Sequence, residues 1–509
     1  MPLLLGLDIG TSAAKAVIID ESGRVIAAGS AEYPLYQDAP LHSEQEPEDW
    51  WTGAAGAIRA ALRGSPGAEI GAVGLSGQMH GLVMLGKEAR ESGGRAEPLA
   101  RAILWNDQRT GAECRDIERI AGGRRRLVEW VGNAALPGFT LPKMMWMRGH
   151  EAGVWNRARV LMQPKDFVRL RLTGEIATDV GDASGTLLFS PDSRAWSERA
   201  LAAFQISPAL LPRPLESARV AGRITAWAAE QTGLAEGTPV AAGSGDNQCG
   251  AVGAGVVSPG MVCATLGTSG VIYAHSASPK KDIAEDGACG RLHTMCAATG
   301  PEGWCITGCM LSAGLSLRWA RDTIAPGIAY GDLMREAAAA PAGCEGLAFL
   351  PYLTGERCPH ADPHARGGWI GLTSRHTRGH LIRAVVEGVT FGLGEILDLA
   401  RSIGVPVECA RLTGGGNRSA FWRQMQADVF RCPVETTNSD EGGAALGAAL
   451  LGGVGAGVWP GVAEACAATI TVRERLEPGA DVYGAARGAY AKLYGSLRER
   501  FAELGSAAG

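Results

Sequence analysis

The sequence predicts an α/β protein built from two related lobes with a ligand cleft between them. Two observations carry this expectation. The chain opens with β-like runs flanking a turn, Gly10-Thr11-Ser12, and the same pattern returns after Thr238 with its turn at Gly267-Thr268-Ser269. A repeat of whole-domain length argues for duplicated lobes rather than a solenoid. The length, 509 residues, exceeds one ordinary domain and suits two large ones. We place the division at 1–250 and 251–509.

Leu3 to Ile9, Lys15 to Asp20 and Arg24 to Ser30 read as three strands of a meander, joined by Gly10-Thr11-Ser12 and by Glu21-Ser22-Gly23. A helix starts near Pro47, a favourable first-turn residue, and runs through Trp50, Trp51, Ala54, Ile58 and Leu62 until Gly64-Ser65-Pro66 ends it. Ile70 to Ser76 reads as the next strand. Helical patterns follow near 140–150 and 197–206, with Pro-rich breaks around Leu211 to Pro214. In the second half, Pro239 to Ala242 is a strand and Met261 to Ala264 pairs with Val271 to Ala274 as a hairpin. The uncharged run from Gly442 to Ala463 is mostly Gly and Ala and contains Pro460, so it reads as a closely packed helix and loop and not as a membrane span.

The net charge of −5 gives no electrostatic reason to bind nucleic acid or an anionic membrane, which leaves small molecules as the expected partners. Twelve cysteines without a CxxC pair read as reduced, buried thiols. Cys305 and Cys309 are spaced to share a helix face, but no His or Cys cluster completes a metal site there. Asp8 interrupts the apolar N-terminal stretch and no basic segment precedes it, so a cytoplasmic location is expected rather than export.

A Gly-Thr-Ser turn between two strands exposes backbone N–H groups and two hydroxyls, which is what a phosphate chain needs from a neutral loop. Two such turns, one per lobe, can grip one phosphate chain from opposite sides. Asp8 lies on the strand just before the first turn, where a divalent cation makes a second anion tolerable, and we assign it to magnesium through water. An Asp that caps its own turn is the alternative, and it would not explain the duplicate turn. Gly414-Gly415-Gly416 follows the strand-like Ala410 to Thr413 and precedes a helical run containing Phe421, a strand-to-helix turn that permits close backbone approach to a nucleotide. Neither a P-loop nor a Rossmann fingerprint is present.

Taken together, several blocks resemble the FGGY carbohydrate kinase family, and within it the bacterial xylulokinases. They are Gly6 to Ser12, Gly77-Gln78-Met79-His80-Gly81, Trp105-Asn106-Asp107, Gly245-Asp246-Asn247, Leu266 to Gly270, Phe349 to Arg357, Gly371-Leu372-Thr373 and Gly414-Gly415-Gly416. The segment Gly367 to Glu387 follows the family's C-terminal signature. Cys358 and Cys249 stand where the family commonly has Thr and a smaller residue.

The resemblance implies an actin-like (ribonuclease H-like) ATPase fold, with sugar held mainly by the first lobe and ATP by the second. Asp246 matches the catalytic base, and a carboxylate within reach of an alcohol suits proton removal as the γ-phosphoryl group arrives. Asn247 is expected to hold a neighbouring hydroxyl. Gln78, Met79 and His80 follow the carboxyl end of a strand, where ligands of α/β sheets usually sit, and by resemblance Met79 and His80 contact the sugar. Trp105, Asn106 and Asp107 line the same pocket, with a core role the alternative for Trp105. Gly10, Thr11, Ser12, Gly267, Thr268, Ser269, Gly314, Gly414, Gly415, Gly416 and Ser419 are the expected ATP and phosphate contacts, with Arg318 close by. The implied reaction is ATP- and Mg2+-dependent phosphorylation of a ketopentose, D-xylulose to its 5-phosphate. Ribulose, another pentulose or a polyol are alternatives. Glycerol kinases carry adjacent Arg and Glu in place of Gln78-Met79-His80. A nucleotide-driven switch without sugar chemistry is disfavoured by Asp246 and the Gln78-Met79-His80 loop. A homodimer is a family expectation.

Overall fold

The computed structural model describes residues 3–67, 69–284 and 287–507. The chain forms two compact units. The first comprises Met1–Ser258, His275–Cys305 and Glu441–Thr471, and the second Pro259–Ala274, Ile306–Asp440 and Val472–Gly509. The division placed at 1–250 and 251–509 is contiguous, whereas these units are interleaved along the chain. Pattern within a segment carries no record of which distant segment it packs on.

In the first unit the sheet runs in the order Val220–Arg223, Pro239–Ala241, Ile70–Gly77, Leu3–Ile9, Ala13–Ile19, Val25–Glu32, and Ser244–Gly245 also pairs with Ile70–Gly77. Side chains alternate across a strand. Leu5, Leu7 and Ile9 therefore face one side, where they meet Trp50, Ala54 and Ile58 of the helix Pro47–Arg63. Leu4, with Val17, Ile19 and Ala72, faces the other side and packs with Leu446, Ala448 and Ala449 of the helix Gly443–Gly455. Sandwiched between helices, Leu4, Leu5, Leu7 and Ile9 are all buried.

The contact with the second helix is backbone to backbone. A Cβ on Gly6 would sit 1.8 Å from the Ala445 carbonyl oxygen, and one on Gly74 would sit 1.7 Å from that of Ala448. On another side of the same helix, a Cβ on Gly447 would lie 1.9 Å from the Cys249 carbonyl oxygen, in the helix Asp246–Gly253. Only glycine permits this approach. The uncharged Gly442 to Ala463 run thus contains the close-packed helix expected of it, followed by the helix Val462–Thr469. No helix of the described residues is long and apolar enough to cross a membrane.

The second unit repeats the opening of the first. Gly260–Leu266 pairs antiparallel with Gly270–Ser276 across the second Gly-Thr-Ser turn, and parallel with Val407–Thr413 on its other side. Leu3–Ile9 does the same with Ala13–Ile19 and Ile70–Gly77. The sheet continues through Val434–Thr437 to Val472–Leu476. Cys305 and Cys309 lie on the strand Trp304–Met310 and not on a helix; their four-residue spacing shares a face in either geometry, and the β-rich sheet context decides.

Replacing Gly74 with Ala is expected to cost about 3 kcal/mol, because neither the strand nor the helix can retreat without breaking ladder or helical hydrogen bonds. Gly495→Ala, in the exposed helix Gly484–Ala507 with nothing within 4 Å of the added Cβ, should instead stabilise by roughly 0.5–1 kcal/mol. Urea unfolding of the two variants beside the parent measures both; equal and small shifts would refute the close approach.

Candidate functional site

Three neighbouring parallel strands of the first unit end at one edge. Register pairs Asp8 with Ser76 and Ser244 with Ser76, so the chain leaves Leu3–Ile9, Ile70–Gly77 and Ser244–Gly245 side by side. Asp8, Gln78 and Asp246 are thereby brought together at strand carboxyl ends, where α/β sheets bind ligands. Ser76 Oγ donates to Asp8 Oδ1 at 2.7 Å. Burial nevertheless raises the Asp8 carboxyl above its ordinary value, against that hydrogen bond and the charge of Lys15. Asp246 opens the helix Asp246–Gly253. Burial first, and the Asp8 charge second, push its carboxyl up to about 7, against the hydrogen bonds of its own and the Asn247 backbone N–H. Among the described residues no three His, Cys, Asp or Glu side chains form a metal cage. Asp8 and Asp246 repel one another, and a carboxylate such as Asp8 is the donor type that would hold a hydrated divalent cation.

The first Gly-Thr-Ser turn is held from behind by amides that sequence reasoning did not place. Gln45 Nε2 donates to the carbonyls of Thr11 (2.7 Å) and Pro34 (3.0 Å), while its Oε1 accepts from Gln78 Nε2 (2.8 Å) and Trp50 Nε1 (2.9 Å). Gln78 also donates to the Gly10 carbonyl and accepts from Thr11 Oγ1, both at 3.3 Å. Gln78 is therefore a buried strut of the first Gly-Thr-Ser turn, with both ends of its amide engaged by protein partners. Trp105 is 39% exposed and its Nε1 donates to Thr11 Oγ1 at 3.0 Å, so a purely core role is excluded.

The rest of the Gln78-Met79-His80 loop is fixed with equal care. His80 adopts a φ of 69°, and its Nδ1 lies 3.0 Å from the Gly185 carbonyl oxygen. Gln163 Oε1 accepts from the His80 N–H at 3.1 Å, and the buried Lys143 Nζ donates to the carbonyls of His80 (2.8 Å) and Gly138 (2.6 Å). Phe139 packs edge-on against the His80 ring at 4.7 Å. Asn247 is exposed, and its Nδ2 lies 3.6 Å from the Met79 sulfur. Asp107 is fully buried, accepts from the Ser43 N–H at 2.7 Å and is bound by the Arg109 guanidinium, contacts that build the loop. Asn106 beside it keeps a buried, unpartnered Oδ1.

Beneath Ser244-Gly245-Asp246 lies a buried charge cluster. Lys165 Nζ stands 2.6 Å from Asp166, 2.8 Å from Asp179 and 3.5 Å from Asp182, all fully buried. Asp179 also accepts from Ser244 Oγ at 2.8 Å and caps the short turn at 180–183. Arg169 supplies the second cation, 2.8 Å from Asp166. Two cations thus face three carboxylates, and desolvation lifts Asp182 well above the usual carboxylate range. Neither this cluster nor Lys143, Gln163 and Gln45 left a motif: each residue is ordinary in its own segment.

In the second unit, Thr265 pairs with Thr413, so the turns Gly267-Thr268-Ser269 and Gly414-Gly415-Gly416 emerge adjacent. The helix Gly314–Ile324 starts directly on the first of them: the Gly314 N–H donates to the Gly267 carbonyl at 2.9 Å, and those of Ala313 and Leu315 donate to the Thr268 carbonyl at 3.1 Å each. A Cβ on Gly314 would lie 2.4 Å from the Gly267 oxygen. Gly414 takes a φ of 91°, and Ser419 caps the helix Ala420–Phe430. These elements enclose a cavity of about 740 Å³ lined by Gly267, Thr268, Gly314, Gly415, Gly416, Arg318 and Ser419, among others. The expected nucleotide contacts of this unit thus converge, with Ser269 and Gly414 beside them in the two turns.

Models of the FGGY family of carbohydrate kinases match the chain, the N-terminal domain over residues 3–253 and the C-terminal domain over 262–456. The chain is 39% identical to the xylulose kinase of Bacillus subtilis (strain 168) over 469 residues, 92% of this chain and 91% of that one. It is 37% identical to the xylulose kinase of Escherichia coli (strain K12) over 457 residues, 89% and 90% of the respective chains. The fold superposes on a ligand-bound xylulose kinase from Lactobacillus acidophilus with a TM-score of 0.92 at 25% identity, covering 99% of this chain and 100% of that one.

The electrostatics of the site has a measurable sign. A carboxyl held at about 7 in the folded protein and near ~4 when unfolded costs stability once ionised, with the cost growing between those values and constant above them. Ligand-free Asp246→Asn should therefore unfold at higher temperature than the parent at pH 8, by on the order of 1 kcal/mol or more, and the gain should shrink toward pH 4. A variant no more stable at pH 8 than at pH 4 would show that Asp246 is not strained by its surroundings.

Proposed function

Because the chain belongs to the FGGY family of carbohydrate kinases, we propose that it transfers the γ-phosphoryl group of ATP to the terminal hydroxyl of D-xylulose, giving D-xylulose 5-phosphate. The observation that carries this reading is Asp246: a carboxylate with raised proton affinity, at a strand-to-helix junction next to Asp8, with Asn247 and Met79 alongside.

In this reading the first unit holds the sugar. His80 and Asn247 hydrogen-bond hydroxyls, Asn106 offers its unpartnered oxygen, and Met79 and Trp105 cover the C–H faces of the sugar. The second unit holds ATP, with phosphates against the Gly267-Thr268-Ser269 and Gly414-Gly415-Gly416 turns, where Thr268, Gly415 and Gly416 line the cavity. Gly10, Thr11 and Ser12 serve the transferring phosphate. The sugar oxygen attacks the γ-phosphorus as its proton passes to an Asp246 carboxylate oxygen. The bond from phosphorus to the β–γ bridging oxygen breaks, and its electron pair leaves with ADP. A base of raised proton affinity suits this task near neutral pH. Asp8 would hold magnesium through water, and the ion would neutralise charge on the phosphate oxygens.

Asp246→Asn should keep both ligands and lose turnover by ~10²–10⁴-fold, the usual contribution of a general base. Asp8→Asn should lose less, and recover in part as magnesium is raised. Turnover of both variants across a magnesium series, with D-xylulose, D-ribulose and xylitol as acceptors, decides; retention by Asp246→Asn of more than about a tenth of parental turnover would place the base elsewhere.

His80→Ala should raise the KM for the sugar by at least ~10-fold with the KM for ATP nearly unchanged. An equal rise in both would make His80 a packing residue.

A further inference from the structure

The cavity of the second unit presents two kinds of surface. Gly267, Thr268, Gly314, Gly415 and Gly416 bring small residues that let a phosphate chain lie close to the backbone. Tyr330, Met334, Arg335, Ala338 and Phe421 remain for the base. Among the described residues, no Asp, Glu, Asn, Gln or His side chain lines the cavity. Its arginines, Arg318, Arg335 and Arg418, can only donate, and Arg335 already donates to Asp332. The backbone adds little. Most of these residues belong to the helices Gly314–Ile324, Tyr330–Ala339 and Ala420–Phe430, whose interior carbonyls are spent within the helix; Ala338, in the last turn of its helix, has a carbonyl beyond the intrahelical ladder.

A lining rich in donors and poor in acceptors has a consequence for base choice. Adenine is told apart from other purines by its exocyclic amino group, which needs an acceptor. Guanine and hypoxanthine instead carry a carbonyl oxygen beside N7, a pair of acceptors that a guanidinium can grip with two N–H groups. We propose, resting on the reading of this cavity as the phosphoryl-donor site, that it takes purine nucleoside triphosphates as a class and does not select adenine, with Tyr330 as the stacking platform for the ring. Tyr330 is 41% exposed, and the Arg321 guanidinium lies over its ring, 4.3 Å from the centroid. Stacking is indifferent to the edge of the base and weaker for the smaller pyrimidines.

The test is kcat/KM for ATP, GTP, ITP and UTP at saturating D-xylulose, together with calorimetric binding of ADP and GDP. GTP and ITP should fall within about tenfold of ATP, and UTP well below. A site that reads the amino group by a dedicated acceptor would reject the analogue far more strongly. An ATP advantage above about 100-fold over both GTP and ITP overturns the proposal while leaving the sugar kinase reading intact. Absence of turnover with every triphosphate, with ADP and GDP still bound equally, sinks the kinase reading and upholds the breadth of the site. The phenol of Tyr330 is a side-chain acceptor on the proposed stacking ring itself, so Tyr330→Phe separates stacking from reading. It should leave ATP and GTP alike unchanged, whereas Tyr330→Leu should raise both KM values by the same factor. Selective loss of ATP use in Tyr330→Phe would overturn the proposal.

Discussion

The candidate sugar site depends on one close contact, the seating of the helix Gly443–Gly455 on the backbone of its neighbours. Gly6 and Gly74 let it lie directly on two central strands, and Gly447 lets the helix Asp246–Gly253 lie against it in turn. Asp8 is two residues beyond Gly6, and Asp246 begins the helix that Gly447 admits. The separation of the two carboxylates is therefore set by backbone contacts that leave no slack. A side chain at any of these glycines would wedge the strand and helix apart and move the base relative to its neighbour. Misplacement of reacting groups by about 1 Å can cost ~10²-fold in rate, so packing at this distance is a functional constraint as well as a structural one.

Electrostatics builds on that frame. Asp246 stands above a cluster in which Lys165 and Arg169 face Asp166, Asp179 and Asp182. Removing one partner from such a buried set leaves an uncompensated charge and typically costs ~3–5 kcal/mol. The cluster ties the Ser244 hydroxyl, and so the strand end that leads into Asp246, to a helix and a turn far away in sequence. The base is thus held by covalent neighbours that are themselves anchored to charges, while its own carboxyl is left poorly solvated.

What could be read in the sequence was whatever is local. The paired Gly-Thr-Ser turns, the Asp before the first of them, the Gly-rich turn at 414–416 and the meander from Leu3 to Glu32 are all written within short windows, and the fold and the nucleotide cavity followed from them. Residues whose packing depends on distant partners were not legible. Nothing local shows that Gln45, from a separate segment, holds the Gln78 amide, or that the Ser43 N–H closes on the Asp107 carboxylate. Lys143 and Gln163 carry no pattern at all, since they hold the backbone carbonyl and N–H of a histidine loop more than sixty residues earlier. The interleaving of the two units was hidden for the same reason.

That interleaving bears on how the chain comes to be folded. The face formed by Leu4, Val17, Ile19 and Ala72 stays open to water until the segment Glu441–Thr471 exists to cover it, and that segment is made only after most of the second unit. During synthesis at ~5–20 residues per second the first unit therefore spends tens of seconds with half its core unroofed. Apolar surface left open for so long is a natural target for chaperones and for self-association. The last helix laid on the first sheet acts as a completion check, because an incomplete chain cannot bury that face however well its earlier strands have paired.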